Sequence, residues 1–336
     1  MGDLDPRRLR SLLDDFGRVR LLVVGDVVLD EYVWGDVDRV SPEAPVPVVQ
    51  VRSETVVLGG AANVARNAVA LGASVVVCSV LGDDPGGSRV AGLLEDLGVK
   101  SDGLVRVPGR PTTRKTRVIA RSQQVVRFDR ETLAPLSPAA VEALQHAIAR
   151  ALPEVDGVVI EDYGKGVLSG DVAAAVMGRA ATAGVPVAVD PKHDVSPYRG
   201  AALLKPNLRE AESLSGVAID DRPALARAVR ELRRKVGGGA VVVTRGADGM
   251  TVFEDDGEGL DVPTVAREVF DVQGAGDTTI AALALALRAG ASLLEAAVLA
   301  NAAAGVVVGK VGTATASRDE VRELLPAAIA AAGGRA

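Results

Sequence analysis

One cysteine, Cys78, in 336 residues excludes an internal disulfide and any thiolate metal cluster. The two histidines, His146 and His193, are far apart in the chain and make no His-rich zinc site. Long apolar runs are missing: the longest, near Ile280–Leu287 and Ala302–Val308, fall well short of a membrane span. The segment Met1–Arg20 is charged throughout and has no apolar leader core. An excess of positive charge is missing too. Lys and Arg number 38 against 44 Asp and Glu, a net charge of -6, which argues against a bulk electrostatic grip on nucleic acid. A soluble, cytoplasmic protein with no membrane or nucleic-acid partner is expected. Several signatures are also absent: G-x-G-x-x-G, G-x-x-x-x-G-K-[ST], the protein-kinase set and G-x-S-x-G. Gly305–Lys310 comes near the second, but the spacing is wrong and Val311 follows the lysine. A Rossmann oxidoreductase is therefore a poor reading.

What is present is ordinary globular stock, 48% apolar and 24% charged. Unbroken apolar runs at Leu21–Gly25, Ser74–Val80, Gly157–Ile160, Pro186–Asp190, Ala201–Leu204 and Ala240–Thr244 predict strands buried on both faces of a parallel sheet. Helices are expected between them, at Ala61–Leu71, Ser88–Leu97, Pro138–Ala151, Asp171–Ala183, Arg222–Lys235, Ala275–Arg288 and Ser292–Gly305. The alternation argues for a layered α/β domain. Two excursions break it, at about 31–58 and 111–129. Both read as β-hairpin material able to form a small second sheet over the main sheet's edge, the alternative being two long surface loops.

The strongest local signal is Asp271-Val272-Gln273-Gly274-Ala275-Gly276-Asp277-Thr278, a Gly-rich turn running straight into an apolar helix. Converging N–H groups at Gly274, Ala275 and Gly276, plus the helix N-terminus, suit an anion hole for a transferring phosphoryl group. Asp277, in the first turn, is placed to accept a hydroxyl proton, although an acid there also simply complements the helix dipole. Gly59-Gly60-Ala61-Ala62-Asn63 opens another helix. It reads either as close ligand approach with Asn63 on sugar hydroxyls, or as tight packing through small residues. Asp26 and Asp30 follow the first strand, where open α/β sheets bind ligands, and suit a polyol or a turn equally. Asn207 and Glu210 have capping-box spacing, and Glu210 can also reach Mg²⁺ through water. Thr244 and Gly246 suit a nucleotide phosphate or ribose, or an ordinary hairpin. Cations lie on the second excursion (Arg114, Lys115, Arg117, Arg121, Arg127) and at Lys165 and Lys192. They suggest a phosphate on the substrate, or, for most of the arginines, a solvated protective edge.

In this order, from Leu21 to Thr315, the motifs resemble the ribokinase-like (pfkB) family of sugar kinases. The elements Gly59-Gly60-x-x-Asn63 and Asp271–Asp277 carry the likeness. Finer segments, among them 23–32, 41–48, 121–129, Asp162-Tyr163-Gly164-Lys165-Gly166, Val189-Asp190-Pro191-Lys192 and 300–310, resemble its D-glycero-β-D-manno-heptose 7-phosphate kinases. The resemblance implies one kinase domain over 1–336: a three-layer α/β/α sandwich with a mainly parallel sheet and a β lid. It implies Asp277 as base, with Gly274, Ala275 and Gly276 as anion hole. ATP would meet Asn207, Glu210, Thr244, Gly246 and Asn301, with Mg²⁺ at Glu210 and room for a monovalent cation. Asp26, Asp30, Gly59, Gly60 and Asn63 would hold sugar hydroxyls, and Lys115, Arg121, Asp162, Lys165 and Lys192 the phosphorylated end. The implied reaction is phosphorylation of the heptose 7-phosphate at O1, toward ADP-heptose.

Two departures stand out. Gln273 occupies a position where the family usually has Thr, which puts the local loop shape and any neighbouring cation site in question. No His-x-Gly-His motif of a nucleotidylyltransferase is present, so the adenylyl step is expected from a separate protein. Exposed lid strands make a homodimer plausible. The rivals are another sugar kinase of fructose or ribose type, and a non-catalytic sugar-phosphate sensor.

Overall fold

Alternate residues of each central strand enter opposite cores, and this divides the molecule into layers. In β1 (Arg20–Gly25), Leu21 and Val23 pack into one cluster and Leu22 and Val24 into the other. The computed structural model describes residues 4–121, 123–266 and 270–333; Ser122 of the basic 121–129 segment lies outside them. Along the chain follow β2 (Val27–Val40), β3 (Pro47–Gly60), β4 (Ser74–Gly82), β5 (Leu104–Val107), β6 (Arg114–Ala120) and β7 (Gln123–Arg130). Then come β8 (Gly157–Glu161), β9 (Val187–Asp190), β10 (Leu203–Leu204), β11 (Ala240–Thr244), β12 (Met250–Phe253) and β13 (Leu260–Val262). The main sheet has the order β13-β12-β11-β10-β9-β8-β1-β4-β5, and only β12 runs against the others. Strand order reverses between β1 and β8, so the crevice opens at their C-terminal ends.

Helices cover both faces. They are α1 (Pro6–Asp15), α2 (Ala61–Ala70), α3 (Pro85–Asp96), α4 (Pro138–Ala151), α5 (Gly170–Ala183), α6 (Leu208–Ser215), α7 (Arg222–Val236), α8 (Ala275–Arg288), α9 (Leu293–Val308) and α10 (Arg318–Ala331). One core takes α1, α2, α3, α8, α9 and α10, the other α4 to α7. Among the described residues no helix is long and apolar enough to cross a membrane. Helix α3 begins three residues before the expected Ser88, because Asp84 caps it by accepting the Gly87 N–H at 2.8 Å and Pro85 starts its first turn. Only two residues of the expected Ala201–Leu204 run pair as a strand.

The two excursions form one four-stranded sheet, β3-β2-β6-β7. β2 is antiparallel to β3 but parallel to β6, and joins the hairpins from Leu29↔Arg114 to Gly35↔Ala120. The first excursion begins earlier than expected, with β2 starting at Val27, two residues beyond the end of β1, and the second later, at Arg114. Its root therefore stands beside the main crevice.

Candidate active site

The Gly-rich turn before α8 fixes the centre. Gly274 sits at the helix N-cap with φ 78°, and a Cβ there would lie 2.8 Å from Asn63 Nδ2, so only glycine fits. The Thr278 N–H makes the first helical bond, to Gly274 O at 2.9 Å, which leaves the Gly276 and Asp277 N–H groups ahead of the ladder. Asp277 is buried. Asn63 Nδ2 donates to its Oδ2 at 2.6 Å, and the Tyr163 hydroxyl donates to Oδ1 at 3.1 Å. Burial is the main force raising the Asp277 pKa to about 6; the Asn63 bond, the Lys205 charge and the Tyr163 bond oppose it.

Three strand ends place charge around it. Glu161 ends β8, Asp190 ends β9, and Lys205 follows β10. All three are buried, and Lys205 Nζ lies 2.6 Å from Asp190 Oδ2. A Cβ on Gly276 would stand 3.5 Å from Lys205 Nζ, so this ammonium borders the Gly-rich turn. One cation cannot hold three close carboxylates ionised in a buried site. Burial and the neighbouring Asp190 and Asp277 push Glu161 well above the usual carboxylate range, and its Oε2 finds no hydrogen-bond partner among the described residues. Burial likewise raises Asp190 to about 7 against the pull of Lys205, while the surrounding carboxylates hold Lys205 protonated.

The root of the lid supplies the other side. Gly60 has φ 56°, and a Cβ on it would collide with Asp26 O; a Cβ on Gly59 would collide with the Asp30 carboxylate. The glycine pair thus lets α2 start against β2 and aims Asn63 at Asp277. Asp30 accepts from Arg117 at 2.6 Å, and that guanidinium also lies over the Tyr32 ring, 5.3 Å from its centroid. Lys115 pairs in register with Asp129. Burial and the neighbouring Lys165 push its pKa down. Lys165 pairs with Glu131 at 2.9 Å.

Four expected sugar-side residues take other places. Asp26 is only 1% exposed, and its carboxylate accepts the backbone N–H groups of Tyr163 (2.9 Å), Lys165 (3.0 Å) and Val167 (3.0 Å). It holds the 163–167 loop rather than facing a ligand. Arg121 lies at the outer turn of the β6–β7 hairpin, paired with Asp38 at 3.4 Å. It is six residues beyond Lys115, roughly 20 Å at ~3.3 Å per strand residue. Lys192 lines the main cavity and is bonded to Glu210 Oε1 at 2.8 Å. Asp162 also lines the cavity, but its oxygens accept from Gly164 N–H (2.8 Å) and the Tyr198 hydroxyl (2.7 Å).

A cavity of about 610 Å³ runs from Asp277 and the Gly274–Gly276 turn to Asn207, Glu210, Thr244, Gly246 and Asn301, the five expected nucleotide residues. Asn207 and Glu210 form a reciprocal capping box at α6, so the structural role of this pair is realised. Glu210 Oε2 caps Asn207 N–H at 3.0 Å, while Oε1 meets only the half-exposed Lys192 and is open to exchange. Asn301 donates to Pro263 O at 2.7 Å and supports the cavity wall. Among the described residues no three His, Cys, Asp or Glu side chains gather to hold a metal ion. With Glu210 as a hard-oxygen donor at its edge, the cavity fits a divalent ion that would be bound mostly through phosphate and water.

Gln273 connects the two sides. Its Oε1 accepts from the Tyr32 hydroxyl at 2.6 Å, tying the lid to the anion-hole turn across 241 positions of sequence. Gln273→Thr is too short to keep this bond. It is expected to lower kcat a few-fold, the equivalent of about 1 kcal/mol for one hydrogen bond. Turnover and a thermal melt of the variant check this.

The residues missed from sequence are Tyr32, Tyr163, Glu161, Asp190 and Lys205. Glu161, Asp190 and Lys205 share one visible signal: each stands at the end of a predicted strand or just after it.

The pfkB family carbohydrate kinase pattern matches residues 20–320. The chain belongs to the pfkB carbohydrate kinase family. Kinases of this family use ATP with a divalent metal ion. The bifunctional protein HldE of Wolinella succinogenes is 47% identical over 309 residues, covering 92% of this chain and 65% of that protein. The HldE of Paramagnetospirillum magneticum is 49% identical over 317 residues, covering 93% and 65%. This pfkB chain thus spans about 65% of the length of these relatives. Its fold is shared with Arabidopsis thaliana ribokinase complexed with ribose and ATP: TM-score 0.72, 23% identity, 91% of this chain and 98% of that one. It is also shared with Escherichia coli phosphofructokinase-2: TM-score 0.75, 21% identity, 92% and 99%.

Proposed function

We propose that this pfkB kinase transfers the γ-phosphoryl group of ATP to the anomeric O1 of D-glycero-β-D-manno-heptose 7-phosphate, giving the 1,7-bisphosphate on the way to ADP-heptose. The observation that carries the reading is the position of Asp277. It lines the 610 Å³ cavity and is bonded through Asn63 to the root of the lid, where Lys115 and Lys165 stand. A base at the junction of a nucleotide cavity and a cationic sugar-phosphate site suits transfer between the two. The kinship with HldE proteins supports heptose over fructose or ribose.

In this mechanism Asp277 accepts the O1 proton as the oxygen approaches the γ-phosphorus. The Gly276 and Asp277 N–H groups, the α8 N-terminus and Lys205 stabilise charge on the transferring group. Asp30, Gly59, Gly60 and Asn63 surround the sugar hydroxyls. Glu210 would hold Mg²⁺ through water, and that ion would supply charge neutralisation on the phosphates; a monovalent cation near the 271–274 turn is compatible with the reading. Lys192 is assigned to the nucleotide side. Lys165 exchanges Glu131 for the substrate phosphate, with Lys115 beside it. Lys165→Ala is expected to raise KM for the sugar phosphate about 10- to 100-fold, the worth of a charged hydrogen bond, with KM for ATP nearly unchanged. Steady-state kinetics varying each substrate in turn check it.

The reading includes a kinase acting in the cytoplasm and a nucleotidylyltransferase activity downstream. It also includes a homodimer through the lid, whose β7 edge is exposed along its length. The test is ADP release from Mg-ATP with the heptose 7-phosphate, fructose 6-phosphate, fructose and ribose. Strong preference for the heptose phosphate supports the proposal. Turnover of another sugar alone keeps the kinase and discards the heptose, and turnover of none favours the sensor.

A further inference from the structure

Asp277 must be charged to act as a base, yet it is 4% exposed and faces Glu161 from β8, Asp190 from β9 and Asp30 from β2. Few groups favour its charge. Asn63 from α2 donates to Oδ2, and Lys205, after β10, is already shared with Asp190 and Glu161. Among the described residues the remaining donor is Tyr163. We infer that Tyr163, clamped through its loop by Asp26, is a positioning residue that holds the Asp277 carboxylate ionised and aimed at the substrate hydroxyl. The kinetic consequence rests on the kinase reading; the effect on Asp277 itself does not.

The loop is built to hold this hydroxyl. Asp26 takes three of its N–H groups, at residues 163, 165 and 167. Asp162 pins it further through Gly164 N–H and Tyr198, and Gly164 turns it at φ 65°. So fixed, the Tyr163 hydroxyl meets Asp277 Oδ1 at 3.1 Å. Tyr163 keeps its own proton, because the Asp277 charge and burial push the phenol far above its ordinary range. It therefore serves as a permanent donor and never as a competing acid. A hydrogen bond to the charged form favours that form, so losing the hydroxyl raises the affinity of Asp277 for a proton. Phenylalanine fills the same space without the donor, which separates the hydroxyl's effect from packing.

The experiment is a pH titration of the Asp277 carboxyl by ¹³C NMR in aspartate-labelled protein, the signal assigned by its loss in Asp277→Asn. Tyr163→Phe is expected to move the midpoint up by about one unit, tenfold in proton affinity. Tyr198→Phe removes another buried hydroxyl, one that donates to Asp162 rather than to Asp277, and is expected to leave it in place. In kinetics, the acid limb of kcat/KM for Tyr163→Phe shifts upward equally, with the alkaline plateau nearly kept. An unmoved midpoint in Tyr163→Phe, or an equal shift in Tyr198→Phe, overturns the inference. So does a lowered plateau with an unmoved limb. A wild-type protein that phosphorylates no sugar sinks the kinase reading, while the carboxyl titration still decides the role of Tyr163.

Discussion

Asp277→Asn is expected to lower kcat by about 10²- to 10⁴-fold, the usual contribution of a positioned general base, with ATP still bound. The substitution keeps the side chain's shape and the acceptor for Tyr163 but removes the site for the hydroxyl proton. The cavity wall around Asn207, Glu210, Thr244 and Gly246 does not depend on Asp277, so nucleotide affinity is expected to persist. The Asn63 amide, which donates to Asp277 Oδ2 at 2.6 Å, would face a second amide, and one of the two must turn. Asn63→Asp in the Asp277→Asn background restores a donor–acceptor pair without returning the base; activity is expected to stay low. Nucleotide binding by calorimetry, beside turnover, separates lost chemistry from lost binding. Near-normal kcat in Asp277→Asn removes Asp277 as the base.

Lys205→Met carries the second large effect, on stability. Lys205 is 3% exposed and is the cation between Asp190 and Glu161. Its removal strands a buried carboxylate, which typically costs ~3–5 kcal/mol. The sign with pH follows from the raised carboxylates. Asp190 already titrates at about 7 with Lys205 present, and its affinity for protons rises further without it. Protonation below that range relieves the stranded charge, so the loss is greatest near pH 8 and shrinks toward pH 5. Adding Asp190→Asn to Lys205→Met recovers part of it at pH 8. Denaturant unfolding at the two pH values measures both. An equal loss at pH 5 and pH 8 would mean that packing, not charge, holds Lys205 in place.

The central sheet was legible because strands buried on both faces must be apolar without interruption, as Leu21–Gly25 and Ala240–Thr244 are. Helices α1 and α10 were passed over. Each buries only a narrow stripe (Leu9, Leu12 and Leu13; Val321, Leu325, Ala328 and Ile329) beneath a charged surface. The lid's two hairpins were visible as interruptions, but not the parallel β2–β6 pairing that joins them, since nothing local encodes a partner 85 positions away. In the site, Gly274–Asp277 and Gly59–Asn63 could be read because backbone approach leaves glycines in a fixed order. Asp26 was misread. Its place at a strand end was right, but the residue faces its own chain, where three amides need an acceptor. Arg121 was misread because every second basic residue of a strand shares a face, while distance along the strand decides which one reaches the site. Lys205 and Glu161 were missed because their significance comes only from assembly, when β8, β9 and β10 end side by side.

The most direct test of the central claim is ³¹P NMR of the product formed from Mg-ATP and the heptose 7-phosphate. The account predicts ADP together with a sugar bearing two phosphates, the original ester and a new anomeric phosphate split by the C1 proton. A second phosphate elsewhere on the sugar, or no new sugar phosphate while ATP and protein remain intact, would contradict it.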